Sequence, residues 1–241
     1  MGYHQAMQKY IDSQVRYWKE RKDAIEKVEF KDHDEKKNAP FITVSREYGV
    51  GAFYLSEKIV QVINQKYKNA HDWAAYDRRL LDNIISDLGL SKSLAETLTD
   101  NARTKMTDLL QTSFSSFPPQ VAVYRKLVET IRTLAITGNV VLVGRAGNII
   151  TRDMVKGFHV RLVAPMHTRI EKISERFKVS HKEAETMIIE KDSKRDGFIK
   201  EYVKFDNTDP LNYHLVVNLG HMSDDEAAVL IVESMKACGF L

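Results

Sequence analysis

The apolar positions of this chain fall into two rhythms. Phe41 to Val44, Trp73 to Tyr76 and Leu215 to Asn218 are strand candidates, and two further runs, Val140 to Val143 and His159 to Val163, are short, nearly continuous and rich in β-branched residues. Such runs predict strands buried on both faces, as in a parallel sheet. The segments between them space their apolar residues at helical intervals. Leu55, Ile59, Val62 and Ile63 follow the glycine turn Gly49 to Gly51, and Asp77 to Thr137 is mostly helical, broken at Gly89 and at Pro118-Pro119. Ser180 with Glu183 and Ser223 with Glu226 form capping-box patterns, predicting one helix that runs to about Lys194 and another that closes the chain. Strands alternating with helices predict an α/β fold with three layers, a parallel sheet of about five strands covered by helices on both faces.

Ahead of this pattern stands a different one. Tyr3, Met7, Tyr10, Ile11, Val15, Trp18, Ile25 and Val28 recur at helical spacing among charged residues, predicting an amphipathic helix. Lys31 to Pro40 is charged, lacks large apolar residues and reads as a linker. The expected organisation is an N-terminal helix and linker over residues 1–40 and an α/β domain over residues 41–241. Tyr10, Val15 and Trp18 share one side of the helix, which makes a homodimer through it an expectation.

Composition narrows the class. With 36 basic and 33 acidic residues the net charge is only +3, so no broad basic face for nucleic acid is expected, although a local pocket for phosphates fits. A single cysteine, Cys238, excludes an intrachain disulfide framework and a cysteine-built zinc site. No apolar run approaches the roughly 20 residues that span a bilayer, and the first residues lack the apolar core of a secretory signal. A cytoplasmic protein without membrane or nucleic-acid partners is expected. Of the eight histidines, His159, His167, His181, His214 and His221 show no metal-ligand spacing and are expected in surface or capping roles, with no metal site.

Chemistry concentrates in Ile42-Thr43-Val44-Ser45-Arg46-Glu47-Tyr48-Gly49-Val50-Gly51-Ala52-Phe53-Tyr54. A strand, a glycine turn and a helix N-terminus together form a partly positive cradle of N–H groups suited to phosphate. The same turn would also serve as a plain βα connection. Against the Walker pattern G-x-x-x-x-G-K-[ST], with Gly51 as second glycine, the first glycine falls on Arg46, the lysine on Ala52 and the hydroxyl residue on Phe53. By that pattern the turn is not a Walker loop.

Further parts follow in order. Ile42 to Gly51, Tyr76-Asp77, Val141-Leu142-Val143-Gly144-Arg145-Ala146-Gly147, His159 to Arg169, and Asp209-Pro210 with Tyr213-His214-Leu215-Val216-Val217-Asn218 together resemble the cytidylate kinase-like family over about residues 41–236. The resemblance implies a five-stranded P-loop kinase core, a nucleoside-monophosphate site beside the second strand and a mobile basic lid, about residues 166–205. In that family a Ser-Arg-x-Tyr-Gly loop commonly replaces the Walker sequence, so the absent lysine resembles a family trait. It implies use of ATP and Mg2+, and a nucleotide or small phosphorylated molecule as substrate.

Carried onto this sequence, the resemblance gives Ser45, Arg46, Gly49, Val50, Gly51, Ala52 and Phe53 as the ATP-binding loop, with Arg46 substituting for the absent cation. Asp77, Arg78, Arg79 and Arg145 are the acceptor-site candidates. Asp77 also reads as a helix N-cap, with the two arginines solvated, and Arg145 as a surface residue of a tight turn. Arg46, Arg145, Arg169, Lys191 and Arg195 are the candidates for charge at the transferred phosphoryl group, with Lys172, Arg176 and Lys194 nearby. Each of these lid residues equally suits an exposed helix face. Asp192 and Asp196, at i and i+4, suit Mg2+ or pairing with neighbouring lysines. Two function classes stay open: a phosphotransferase acting on a CMP-like acceptor, and a nucleotide-binding regulatory protein without turnover.

Overall fold

The computed structural model describes residues 39–67, 72–77, 119–202 and 205–241. The N-terminal amphipathic helix, Arg78 and Arg79 lie outside the described residues. In chain order the elements are β1 (Phe41–Arg46), α1 (Ala52–Lys66), β2 (Ala74–Tyr76), α2 (Pro119–Thr137), β3 (Val140–Val143), α3 (Gly147–Ile150), β4 (Gly157–Val163), α4 (Met166–Phe177), α5 (His181–Tyr202), a 3-10 turn (Pro210–Asn212), β5 (Leu215–Asn218) and α6 (Asp224–Ala237).

The five strands form one sheet in the order β2-β3-β1-β4-β5, every pair parallel. Because side chains alternate across a strand, β1 sends Ile42 and Val44 to one face and Phe41, Thr43 and Ser45 to the other. On the first face Ile42, Val44, Val141, Phe158 and Val160 pack with Leu55 and Ile59 of α1 and with Ile231 and Val232 of α6. On the second, Phe41, Tyr76 and Leu142 pack with Ile131 and Leu134 of α2. Central strands are therefore covered on both sides, which is why they read as continuous apolar runs rather than alternating ones. β1 occupies the middle of the sheet, so the loop leaving its C-terminal end emerges between the ends of β3 and β4.

Two expectations are corrected. α5 continues to Tyr202 rather than ending near Lys194, because the chain beyond Lys194 holds good helix formers and no proline, and one glycine costs a helix only about 1 kcal/mol. His159 is not a surface residue. It is 8% exposed, hydrogen-bonded through Nδ1 to Thr43 Oγ1 at 2.7 Å.

The capping box of α6 is complete. Ser223 Oγ accepts from Glu226 N at 3.3 Å, and Glu226 Oε2 accepts from Ser223 N at 2.8 Å. Ser223→Ala is expected to lower stability by about 1 kcal/mol, read as a lower urea midpoint at unchanged slope. No helix among the described residues is long and apolar enough to cross a membrane.

Candidate functional site

β1 ends on Ser45 and Arg46, and the chain turns through Glu47-Tyr48-Gly49-Val50-Gly51 into α1. Gly49 has φ +94, and a Cβ there would lie 3.1 Å from Arg169 Cβ and 3.3 Å from the Arg169 carbonyl. Glycine thus lets the loop lie directly on α4 in a left-handed conformation that other residues resist. Gly51 faces open space, with nothing within 4 Å of an added Cβ. It is the N-cap of α1, which has no side-chain cap and no acidic residue in its first turn. The first N–H groups of a helix lack partners within the helix itself, and together with the helix dipole they favour an anion there. Val50 and Ala52 are buried, and Phe53 is half-buried with its ring edge toward Tyr54.

Arg46 reaches from β1 across the end of β3. A Cβ on Gly144 would collide with the Arg46 guanidinium, so glycine at that position makes room for the cation. Gly144 begins the turn in which Arg145 and Ala146 also hold left-handed φ of 53° and 54°. That backbone costs of order 1 kcal/mol per residue, and it sets the half-buried Arg145 at the strand's C-terminal end. In open parallel sheets, ligands bind outside such ends. The structure therefore brings Arg46 and Arg145 to adjacent strand ends.

The lid cations are arranged differently from the expectation. Arg169 Nη1 meets Asp192 Oδ2 at 2.5 Å, and Arg169 Nε lies 3.6 Å from Glu47 Oε2. The other Asp192 oxygen accepts from Tyr48 N at 2.7 Å. Arg195 Nη1 donates to the Arg46 carbonyl at 2.7 Å and lies 3.6 Å from Asp192. Lys172 donates to the Val50 carbonyl at 3.4 Å and approaches Asp224. Arg169, Lys172 and Arg195 gather at the loop and hold its carbonyls, while Asp192 holds one of its N–H groups. Arg176 turns away to lie over the rings of Tyr54 and Phe177. Lys191 is exposed on α5 and takes no part in this cluster, and Lys194 approaches Glu190.

One member of the cluster, Glu47, had no role in the sequence reading, and another, Asp192, was expected on Mg2+ or on neighbouring lysines. Glu47 accepts from Ala164 N at 3.0 Å and so ties the loop to the end of β4. Asp192 is the hub, paired with arginines rather than lysines; its i, i+3 spacing to Arg195 was the available signal. Asp77 stands at the end of β2 near Glu57 of α1, whose carboxyl is pushed up by burial and by the Asp77 charge. A magnesium site held by the protein does not fit the loop. Phe53, in the hydroxyl position, has no oxygen, Asp192 is engaged by two arginines, and the described residues contain no group of three metal-binding side chains.

A parallel five-stranded sheet whose central strand runs through a glycine loop into a helix defines a P-loop kinase-like α/β protein. The model of the cytidylate kinase-like family matches residues 41–221. The chain belongs to that family, and it is a nucleotide kinase-like protein. An uncharacterized protein from Eubacterium ventriosum superposes with a TM-score of 0.62 at 20% identity, covering 82% of this chain and 98% of that one. A shikimate kinase from Bacteroides thetaiotaomicron superposes more loosely, with a TM-score of 0.46 at 13% identity over 82% of this chain and 98% of its own. Among curated proteins, a uronate isomerase of Corynebacterium glutamicum is 24% identical over 156 residues, 63% of this chain. The chain spans 30% of the length of that protein.

Proposed function

We propose that the protein transfers the γ-phosphoryl group of ATP to a nucleoside monophosphate of the CMP type or a similar small acceptor. The observation that carries this reading is the Arg46 guanidinium, seated against Gly144 between the glycine loop and the Arg145 turn. It supplies, from the strand side, a fixed positive charge in a loop that has alanine at the lysine position. The loop N–H groups and Arg46 hold the donor phosphates, and Arg145 orients the acceptor. Charge at the transferred group is the main service a protein gives phosphoryl transfer, because the chemistry needs no covalent intermediate. Magnesium arrives on the nucleotide.

A second reading is favoured by Asp192. Its carboxylate already occupies an N–H of the loop and an arginine of the lid, which suits a protein that binds nucleotide as a signal without turning it over.

Titration calorimetry with ATP and with CMP, each with and without Mg2+, followed by an assay for ADP in the same samples, separates the two. The first reading predicts that ADP accumulates only with an acceptor present, and that Arg46→Ala lowers turnover roughly 100-fold. Binding without ADP assigns the regulatory role. Absence of binding by either nucleotide removes both readings.

A further inference from the structure

Arg161 lies in β4 directly opposite Ser45 of β1 and is 4% exposed. Its contacts are neutral. Nη1 donates to Ser45 Oγ at 3.3 Å, and the guanidinium sits 5.9 Å from the centre of the Tyr213 ring. Around them the Tyr213 hydroxyl bonds Asn207 Oδ1 at 2.6 Å and Ser45 Oγ at 3.2 Å, and Asn148 donates to that hydroxyl at 3.4 Å. Burial pushes the Tyr213 phenol up, so it stays protonated and supplies no negative charge. Arg161 is absent from the ion pairs among the described residues, in which Arg169, Arg195 and Arg132 each find a carboxylate.

A buried guanidinium without a counter-charge is costly, and a fold gains nothing from it that a neutral side chain could not supply. Its place suggests what it is kept for. The next residue, Leu162, accepts the N–H of Glu47 at 3.1 Å, so Arg161 stands one residue below the point where the loop leaves the sheet. At about 3.3 Å of rise per residue, its backbone is within roughly two residues' rise of the loop floor. Burial keeps bulk water from it, so its field acts there with less screening than that of a surface charge.

We propose that Arg161 is a positioning residue for polyanions, a buried fixed charge beneath Ser45 that takes over the electrostatic part of the missing loop lysine and selects ligands by phosphate charge. It touches Ser45 and no reacting atom. This inference rests on the anion-binding half of the reading above and not on turnover. The ligand class is a tri- or diphosphate chain in preference to a monophosphate, whatever base it carries.

The test uses the full chain, wild type and with Arg161→Gln and Arg161→Lys, and measures affinity for inorganic tripolyphosphate, ATP and AMP together with the melting temperature of the ligand-free protein. Arg161→Gln is expected to weaken tripolyphosphate and ATP roughly tenfold and AMP less than threefold, the loss growing with ligand charge. Arg161→Lys is expected to retain most of the affinity. The ligand-free Arg161→Gln protein is expected to melt no lower than wild type, because a charge is removed from the interior.

A lowered melting temperature with equal effects on all three ligands, or a variant that fails to fold, overturns the proposal and leaves Arg161 a structural residue. Wild-type protein that binds tripolyphosphate but not ATP, with Arg161→Gln losing it, keeps the proposal and removes the nucleotide reading. Wild-type protein that binds neither removes both.

Discussion

Replacing Asp192 by alanine is expected to lower the stability of the protein by about 3 kcal/mol and at the same time to raise its affinity for phosphate-bearing ligands. The stability loss follows from what the carboxylate holds. Asp192 gives one oxygen to Arg169, whose side chain is 9% exposed, and the other to the Tyr48 N–H. Removing one partner of a buried pair leaves the other charge without compensation, at about 3 to 5 kcal/mol. The 20% exposure of the Asp192 side chain places the cost at the lower end. Asp192→Asn should cost less, since an amide oxygen still accepts from Tyr48. The gain in affinity follows because a phosphate arriving at the loop would have to displace this carboxylate from the Tyr48 N–H and from Arg169. Urea unfolding and calorimetry with ATP on the same variant read both signs. Unchanged stability would mean that water already screens the pair, and a fall in affinity would make Asp192 part of the binding site.

The second large effect is expected on acidification. His159 is buried beside His214, with its pKa lowered to about 4 from 6.5, first by desolvation and then by the His214 charge. Above pH 6.5 the imidazole is neutral in folded and unfolded chains, and it contributes no pH dependence. Below that, the unfolded chain takes up a proton that the folded chain refuses, so stability falls as the pH drops toward 4 and then levels off. At 1.36 kcal/mol per pKa unit the loss amounts to about 3 kcal/mol. His214, also lowered by burial, acts in the same direction, and protonation of its Nδ1 would break the bond it accepts from His159 N at 3.0 Å. Unfolding free energies measured between pH 7.5 and 4, for wild type and for His159→Gln, isolate the term from that of the carboxylates. Superimposable profiles for the two proteins would show that His159 titrates as if solvated.

The sheet was legible because both faces of its central strands are covered. Val140 to Val143 needs no partner information to be recognised, since a short continuous apolar run has few other uses. Gly49 and Gly144 were visible as turns, but the reasons for them were not. One makes room for α4 and the other for the Arg46 side chain, each an approach between elements far apart in sequence. The Asp192 cluster was hidden for the same cause, since Tyr48 and Asp192 are separated by 144 positions. Spacing along α4 placed Arg169, Lys172 and Arg176 on one face, yet only the first two reach the loop. His159 was obscured by its chemistry, because a histidine reads as an exposed position and here it is interior.

The central place of β1 also governs when the site comes into being. Its loop is completed by Gly144 from β3, by Arg161 and Arg169 from β4 and α4, and by Asn207 and Tyr213 from the last third of the chain, so almost none of its contacts are local. Long-range parallel pairing is slow to form, since each closure must be completed before the next can be rewarded. During synthesis, β1 and its glycine loop leave the ribosome early and wait for the segment that carries Tyr213. Only a polypeptide made as far as Tyr213 can assemble the full surroundings of the loop.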